Sequence, residues 1–407
     1  MFNYIKIEGF RSFKHVELEL SPLSVLIGPN NGGKSNFLDL MSLMAEAGQG
    51  HLEQGIDSRG GPTRIAFKFA PFGRVQVEFH FRDLPYFFPL LPERETQADV
   101  NFRLGLEFNP SEAKVSLEEV TKDSTLEQPS PVSLMRRNKG ECVFRSSGKK
   151  GVVTEEQKAL ESPSELAIFQ VRDLHNYPIP YRILRQFQEW TLYRDINVGP
   201  EASIRQPGLV RPTVRLSPNA ANLSSVLNSI QTQHLSTWEE IEEVFRTAYP
   251  EFRGITFPPE GGDGKIVLRW WERGYEDLDV VGVVEEYGVS ANFLSDGTLK
   301  FLCLIAILKS PDPPPLICID EPELGLHPDW IKLVAEMMQS AAARTQLIVA
   351  THSPQIVAKL DPEQVIVAEK ENGETRLRRL QTQELGNWLN GFNLSDLWLA
   401  GHLGGRP

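Results

Sequence analysis

Cysteine is scarce in this sequence. Only Cys142, Cys303 and Cys318 occur among 407 residues. The count is odd, and no spacing is of the disulfide-framework or zinc-ligand kind. A disulfide-stapled scaffold and a thiolate metal centre are therefore set aside. Cys303 and Cys318 lie in apolar runs and are expected to be small buried hydrophobes in a reducing compartment. Long apolar runs are missing too. The longest, Phe301 to Leu308, falls far short of the roughly 20 residues that span a bilayer. Met1-Phe2-Asn3-Tyr4 passes straight into a strand-like pattern, so no leader peptide and no membrane partner are expected, and the setting is read as cytoplasmic. Positive charge is in deficit: 42 Lys and Arg against 54 Asp and Glu give a formal net charge of −12. That balance argues against nucleic-acid binding over the whole surface and leaves only a local basic groove for such a role. No heptad pattern is long enough for a coiled-coil arm, and no fixed-period repeat emerges.

What remains is ordinary globular composition, 41% hydrophobic and 24% charged. The length exceeds one ordinary core, so two or three lobes are expected. The most informative stretch is Leu23 to Asn36: a short apolar strand, a glycine-rich loop, then a helix. The loop fits G-x-x-x-x-G-K-[ST], with Gly28, Gly33, Lys34 and Ser35 at the fixed positions. Gly32 and Gly33 permit a tight curl that points successive N–H groups into one concavity, and the helix adds its positive end. Lys34 is placed to reach the β- and γ-phosphates of a nucleotide, and the Ser35 hydroxyl to ligand Mg²⁺. The candidate phosphate-contacting set is Gly28, Asn30, Asn31, Gly32, Gly33, Lys34, Ser35 and Asn36.

Before that loop, Tyr4, Ile5 and Ile7 mark one strand and the apolar/acidic alternation of Val16 to Leu20 a second. Phe37, Leu40, Met41 and Met44 lie at helical spacing, and Gly48 and Gly50 end that helix. From Arg64 to about Glu119 the pattern is a β-meander, with strands expected at Ile65–Phe69, Val75–Phe79 and Phe102–Leu106. Residues 121–164 are polar and read as a loop-rich excursion. Residues 165–250 read as mainly helical, broken by Pro178, Pro180 and the stretch 199–218, with helical periodicity in Asn222–Ile230 and Thr237–Ala248. Strand-like runs return at Ile266–Trp270.

A second acidic and polar set lies far downstream. Pro315 to Glu323 holds an unbroken apolar run ending in Asp320 and Glu321. Such a run fits a parallel strand buried on both faces, with its carboxyl end at a ligand site. Asp320 is expected to hold Mg²⁺ through a water and Glu321 to polarise the attacking water. Thr345–Ala350 is another buried strand, followed by His352, a candidate contact to the γ-phosphate or that water. Ser353, with Pro354 after it, is expected to cap a helix. Ser295 is expected to cap the apolar helix from Phe301 to Leu308, where its hydroxyl, Gly297 and the helix N-terminus could face a phosphate.

Taken together, these residues resemble the ABC-type ATPases of the RecF/SMC/OLD group. Gly28–Ser35 is similar to Walker A, Ser295–Thr298 to the signature, Asp320-Glu321 to Walker B, Glu323–Pro328 to the D-loop region and His352 to the switch histidine. Ile7–Phe13 is similar to that group's opening strand. The tail, with Trp388, Leu397-Trp398, Gly401 and Gly404-Gly405, resembles stand-alone prokaryotic OLD-like ATPases. The resemblance implies an α/β fold: an ABC-type P-loop ATPase head with an antiparallel β subdomain, an inserted α-rich lobe and no long coiled coil. The lobes would be 1–120 with Walker A and the meander, 121–285 inserted and largely helical, and 286–407 with signature, Walker B and switch histidine. It also implies a head-to-tail homodimer sandwiching two ATP molecules, with Lys34, Ser35, Asp320, Glu321 and His352 of one chain facing Ser295 and Gly297 of the other.

Asp296 departs from transporter-like signatures, which carry glycine there. It is expected to turn away from phosphate or to find a cation, with Lys300 the candidate. Gln170 is the candidate Q-loop residue, and Arg11 a candidate contact to base or phosphates. OLD nucleases carry a Toprim nuclease after the ATPase. This chain ends at Pro407, so effector chemistry is expected from a separate partner protein.

Arg136, Arg137, Lys139, Lys149 and Lys150, followed by Arg182, Arg185, Arg194, Arg205, Arg211 and Arg215 among Tyr181, Phe187, Trp190 and Tyr193, can be read two ways. They form either a DNA- or partner-binding surface or a solvated face over core aromatics. The functional expectation is a Mg²⁺-dependent ATPase in DNA maintenance or anti-phage defence. The alternative is an ATP-dependent scaffold or sensor with slow turnover.

Overall fold

The structure is a computed structural model. It describes residues 1–69, 73–87, 95–123, 130–138, 140–147, 153–260, 262–273, 288–386, 388 and 391–405. The chain divides into two units, Met1–Thr191 with Asp361–Pro407, and Leu192–Leu360.

The first unit carries an eight-stranded sheet. Its strands are β1 (Phe2–Phe10), β2 (Phe13–Glu19), β4 (Gly73–Phe87), β5 (Glu95–Asn109), β6 (Glu112–Lys122), β7 (Val132–Asn138), β8 (Glu141–Ser147) and β9 (Val153–Ala159), while β3 (Leu23–Ile27) lies elsewhere. Their spatial order is β2-β1-β4-β5-β6-β7-β8-β9, and every neighbouring pair is antiparallel. The alternation in β2 buries Phe13, Val16 and Leu18 and exposes the residues between them. On the buried face, Phe2, Phe79, Phe81 and Phe102 meet Phe187 and Trp190 from the helix Pro178–Glu189 and its C-cap. Phe187 lies 5.0 Å from Phe102 and 4.8 Å from Trp190, centroid to centroid, both edge-on. These aromatics are therefore core residues, not a nucleic-acid stacking surface.

Two local expectations change. Residues 121–164, read as loop-rich, supply β7, β8 and β9. β9 reads Val-Thr-Glu-Glu-Gln-Lys-Ala and holds its place by backbone pairing with β8. A strand with polar side chains on both faces leaves no periodicity to detect. Ile65–Phe69, read as a strand, instead ends a short helix, Pro62–Ile65, and continues as a 3₁₀ turn. Pro62 presets helical φ at the first turn, and Lys68 sits at φ +51°.

Within this unit β3, buried at all five positions, runs parallel to Val365–Glu371, which pairs antiparallel with Glu374–Arg379. Strands buried on both faces read as continuous apolar runs, as β3 does. In the second unit, Leu316–Asp320 pairs in parallel with Gln346–Ala350 and brings Asp320 opposite Ala350. The strand Thr191–Tyr193 lies on its other side. The helix Asp296–Leu308 is buried along nearly its whole length, as its composition foretold. Cys303 and Cys318 are buried, and so is Cys142. The result is the expected mixed α/β fold with an antiparallel subdomain and, among the described residues, no long coiled coil. No helix of the described residues is long and apolar enough to cross a membrane.

A buried charge pair ties the first unit's sheet to the segment after β9. Glu118 accepts from the N–H groups of Ala167 (2.5 Å) and Ile168 (2.9 Å). Arg137, 3.7 Å from Glu118 and equally buried, donates to the carbonyls of Ser162, Pro163 and Glu165. Burial pushes the Glu118 carboxyl up to about 7 against the opposing backbone donors and Arg137. Removing one partner leaves the other group buried and uncompensated, which costs about 3–5 kcal/mol. Arg137→Met and Glu118→Gln should therefore each lower this unit's stability by about 3 kcal/mol in denaturant unfolding at neutral pH, because each leaves the other buried group without its partner. A loss under about 1 kcal/mol in either variant would show that the pair is not what holds this junction.

Candidate functional site

The glycine-rich loop is built from the crowding of its surroundings. Gly28 (φ +143°) lies where an added Cβ would overlap the Ala368 carbonyl oxygen. Gly33 (φ +102°) is pressed against Thr375, and a Cβ on Gly32 would sit 2.9 Å from the Pro29 oxygen. Asn31 adopts φ +68°. The loop thus curls as glycine permits, and the helix Lys34–Gly48 starts at Gly33 with no side-chain cap and no acid in its first turn. That leaves the positive end of the helix without a capping side chain. Lys34, only 6% exposed, folds back over the loop and donates to the Gly28 (2.7 Å) and Pro29 (3.1 Å) carbonyls. Its ammonium lies where the loop would cradle phosphate.

Neighbouring residues brace the loop. Thr375 Oγ1 donates to the Gly32 carbonyl (3.1 Å) and lies 2.8 Å from Ser12 Oγ, which also accepts from Asn36 Nδ2 at 2.8 Å. Asn36, expected among the phosphate contacts, serves this brace. Arg11 pairs with Asp39 at 2.7 Å and donates to Asn36 at 3.3 Å; Asp39 also receives Arg59 at 3.0 Å. The tail closes the loop's base. Trp398, fully buried, donates to the Gly405 carbonyl (2.6 Å), and the Gly405 N–H donates to Glu369 (2.7 Å). A Cβ on Gly405 would stand 3.1 Å from Gly28 Cα. The tail motif thus acts as a backstop to the first glycine.

The second unit gathers the acids. Asp320 ends its strand with its side chain 12% exposed and receives Arg194 Nε at 3.1 Å. Glu321 sits at φ +49°, its N–H donating to the Ala350 carbonyl (2.8 Å). A non-glycine residue in that conformation is strained, as functional residues often are. His352 lies beside it, Nε2 4.0 Å from Glu321 Oε1, while its backbone N–H donates to Glu323 at 2.7 Å. Burial raises the Glu323 pKa against the backbone and Thr351 hydrogen bonds that favour its anion, and Glu321 adds repulsion. Asp320, Glu321 and His352 therefore share one strand-end corner. Glu323, read only as the start of the D-loop region, fixes the histidine backbone.

Ser295 caps the helix Asp296–Leu308 as expected, accepting from the Thr298 N–H at 3.1 Å. Its Oγ is 2.8 Å from Thr298 Oγ1, which lies 2.6 Å from Tyr249 OH. Gly297 packs under the loop after the acids: a Cβ there would meet the Gly325 oxygen at 2.7 Å. Asp296 does find a cation, but it is Arg205 (2.5 Å), not Lys300. Lys300, its pKa lowered by burial, is drawn instead by Glu323, Glu321 and Asp195. Arg205, buried, also donates to the carbonyls of Val198, Gly199, Ala291, Asn292 and Leu294. It organises the approach to Ser295, a role the sequence could not show.

Other candidates fall away. Gln170 is a structural bracket: it accepts from the Glu161 and Ser162 N–H groups and donates to the Ser162 and Glu165 carbonyls. Two members of the basic cluster, Arg137 and Arg205, are buried; Arg194 pairs with Asp320, Arg185 and Arg215 make surface pairs with Glu189 and Asp312, and Arg136 and Arg211 are exposed. Lys139, Lys149 and Lys150 lie outside the described residues.

The Arg205 contacts give a direct expectation. In hydrogen exchange, Arg205→Met should release the amides of 291–298 at least about tenfold faster, because several buried carbonyls lose their donor. Asp296→Asn should leave them close to wild type. Unchanged exchange in Arg205→Met would remove this role.

Residues 1–147 match the family model of the AAA ATPase domain. Residues 228–358 match that of an AAA domain of the AbiEii toxin type, Type IV TA system. Among solved structures, the Smc head bound to the C-winged helix domain of ScpA is similar over 94% of this chain and 99% of its own, with a TM-score of 0.51 at 14% identity. The Smc head domain with an extended coiled coil, bound to the C-terminal domain of ScpA and derived from Pyrococcus furiosus, is similar over 96% of this chain and 98% of its own, with a TM-score of 0.50 at 12% identity. At such identities the likeness is one of fold. The two family models, each matching part of the chain, are of AAA-type ATPase domains.

Proposed function

We propose that this protein is a Mg²⁺-dependent ATPase of the OLD-like branch that works as a head-to-tail homodimer closed over two ATP molecules. The observation that carries the reading is the glycine loop: a curled backbone, an uncapped helix end and Lys34 folded over it. Lys34 would bind the β- and γ-phosphates, and the N–H groups of Gly28, Asn30, Asn31, Gly32, Gly33, Lys34, Ser35 and Asn36 the remaining oxygens. Ser35 and Asp320 would hold the metal. Their chemistry fits, one a hydroxyl at a helix start and the other a carboxylate that already accepts a cationic donor. When bound, Mg²⁺ supplies charge neutralisation on the phosphates. Glu321 would accept the proton of the attacking water, and His352 would orient that water or the γ-phosphate. Catalysis is then chiefly positioning and electrostatics.

Two exposed apolar residues favour the dimer. Phe293 is 78% and Leu324 60% exposed. They flank Ser295 and Glu321 in sequence, where a partner's nucleotide face would cover them. The segment 121–285 would be the docking region for a separate effector, with 1–120 holding phosphates and 286–407 supplying hydrolysis. The AbiEii-type match favours a toxin–antitoxin or anti-phage setting over DNA maintenance. The Arg194–Asp320 pair favours a second reading, a scaffold or sensor with slow turnover. A basal rate that rises on adding a co-purified effector would favour the first reading; a rate that no partner changes would favour the second.

Lys34→Ala should weaken ATP binding at least about a hundredfold in equilibrium binding. Glu321→Gln should retain binding and lose about a thousandfold in phosphate release. Wild-type hydrolysis by Glu321→Gln would remove the assigned base, and unchanged ATP affinity in Lys34→Ala would remove the loop assignment.

A further inference from the structure

Arg194 enters the second unit's acidic corner by construction. The strand Thr191–Tyr193 neighbours Leu316–Asp320 in the sheet. Tyr193 is buried, its hydroxyl donating to the Leu216 carbonyl at 2.6 Å. The next residue therefore leaves an anchored base beside the end of the acidic strand. Its guanidinium Nε donates to Asp320 Oδ2 at 3.1 Å, with the aspartate side chain 12% and the arginine side chain 36% exposed. A partly buried carboxylate held by charge-assisted hydrogen bonding is well compensated. A divalent cation approaching the same carboxylate would meet a resident positive charge and a lone pair already in use.

We propose that Arg194 is a built-in competitor for the metal at Asp320. The guanidinium holds the cation position at Asp320, and a divalent ion must displace it to bind. This positioning role rests on the reading of Asp320 as the metal carboxylate. It gives that reading a regulatory consequence: free Mg²⁺ alone binds poorly, and the metal is taken up efficiently only with the additional ligands that a nucleotide triphosphate brings. A protein of this kind would not load metal ahead of nucleotide.

The test uses the full chain without nucleotide and Mn²⁺ as the probe, followed by electron paramagnetic resonance. Arg194→Met should bind Mn²⁺ about tenfold more tightly than wild type. Arg194→Lys, which keeps a cation near the carboxylate, should stay within about threefold of wild type. Asp320→Asn combined with Arg194→Met should abolish the gain. If Arg194→Met does not fold, Arg194→Gln removes the same charge at similar length. The proposal is overturned if removing the charge leaves Mn²⁺ affinity equal to wild type or weaker, or if the gain persists without the Asp320 carboxylate. A separate titration with ATP keeps the readings apart. Absent ATP binding with the Mn²⁺ exchange intact would strike the ATPase reading alone; normal ATP binding without the exchange would strike this one alone.

Discussion

At Gly28 three stretches of backbone converge with no space for a side chain. The glycine ends the buried strand Leu23–Ile27, faces the Ala368 carbonyl and is backed by Gly405. The curl of the loop, the start of the following helix and the fold of Lys34 all depend on that close approach. The same constraint explains why the tail matters to a loop hundreds of residues earlier: Trp398 and Glu369 fix Gly405 by hydrogen bonds from both sides. A loop that presents backbone N–H groups has no side chains of its own to adjust, so its geometry must come from what packs behind it.

The second unit obeys a different rule, the compensation of clustered acids. Asp296 is neutralised by Arg205 and Asp320 by Arg194, while Glu321 and Glu323 share the neighbourhood of His352 and Lys300. Asp296, between Ser295 and Gly297, is paired with Arg205. Two of the arginines that could be read as a nucleic-acid surface, Arg194 and Arg205, are engaged with Asp320 and Asp296.

The residues legible in sequence are those whose role is local. The glycine loop, the apolar run into Asp320 and the Ser295 cap each state their geometry within a few positions, and the structure places them so. What was not legible depends on long-range pairing. Arg194 meets Asp320 126 residues later, and Arg205 meets Asp296 91 residues later; no periodicity encodes such partners. β9 escaped notice because sheet hydrogen bonds, not apolar alternation, hold it. The stretch Ile65–Phe69 misled because its alternation suits a strand, while Pro62 and the left-handed Lys68 set a helix and a turn.

Under the proposed function, one chain would carry an incomplete site that ATP completes across two copies. Sedimentation velocity of Glu321→Gln with saturating Mg²⁺-ATP decides this. A shift from monomer to dimer is expected with ATP and none with ADP, and the ATP-dependent shift should be lost when Ser295→Arg fills the signature. A monomer that binds ATP fully and does not associate would contradict it.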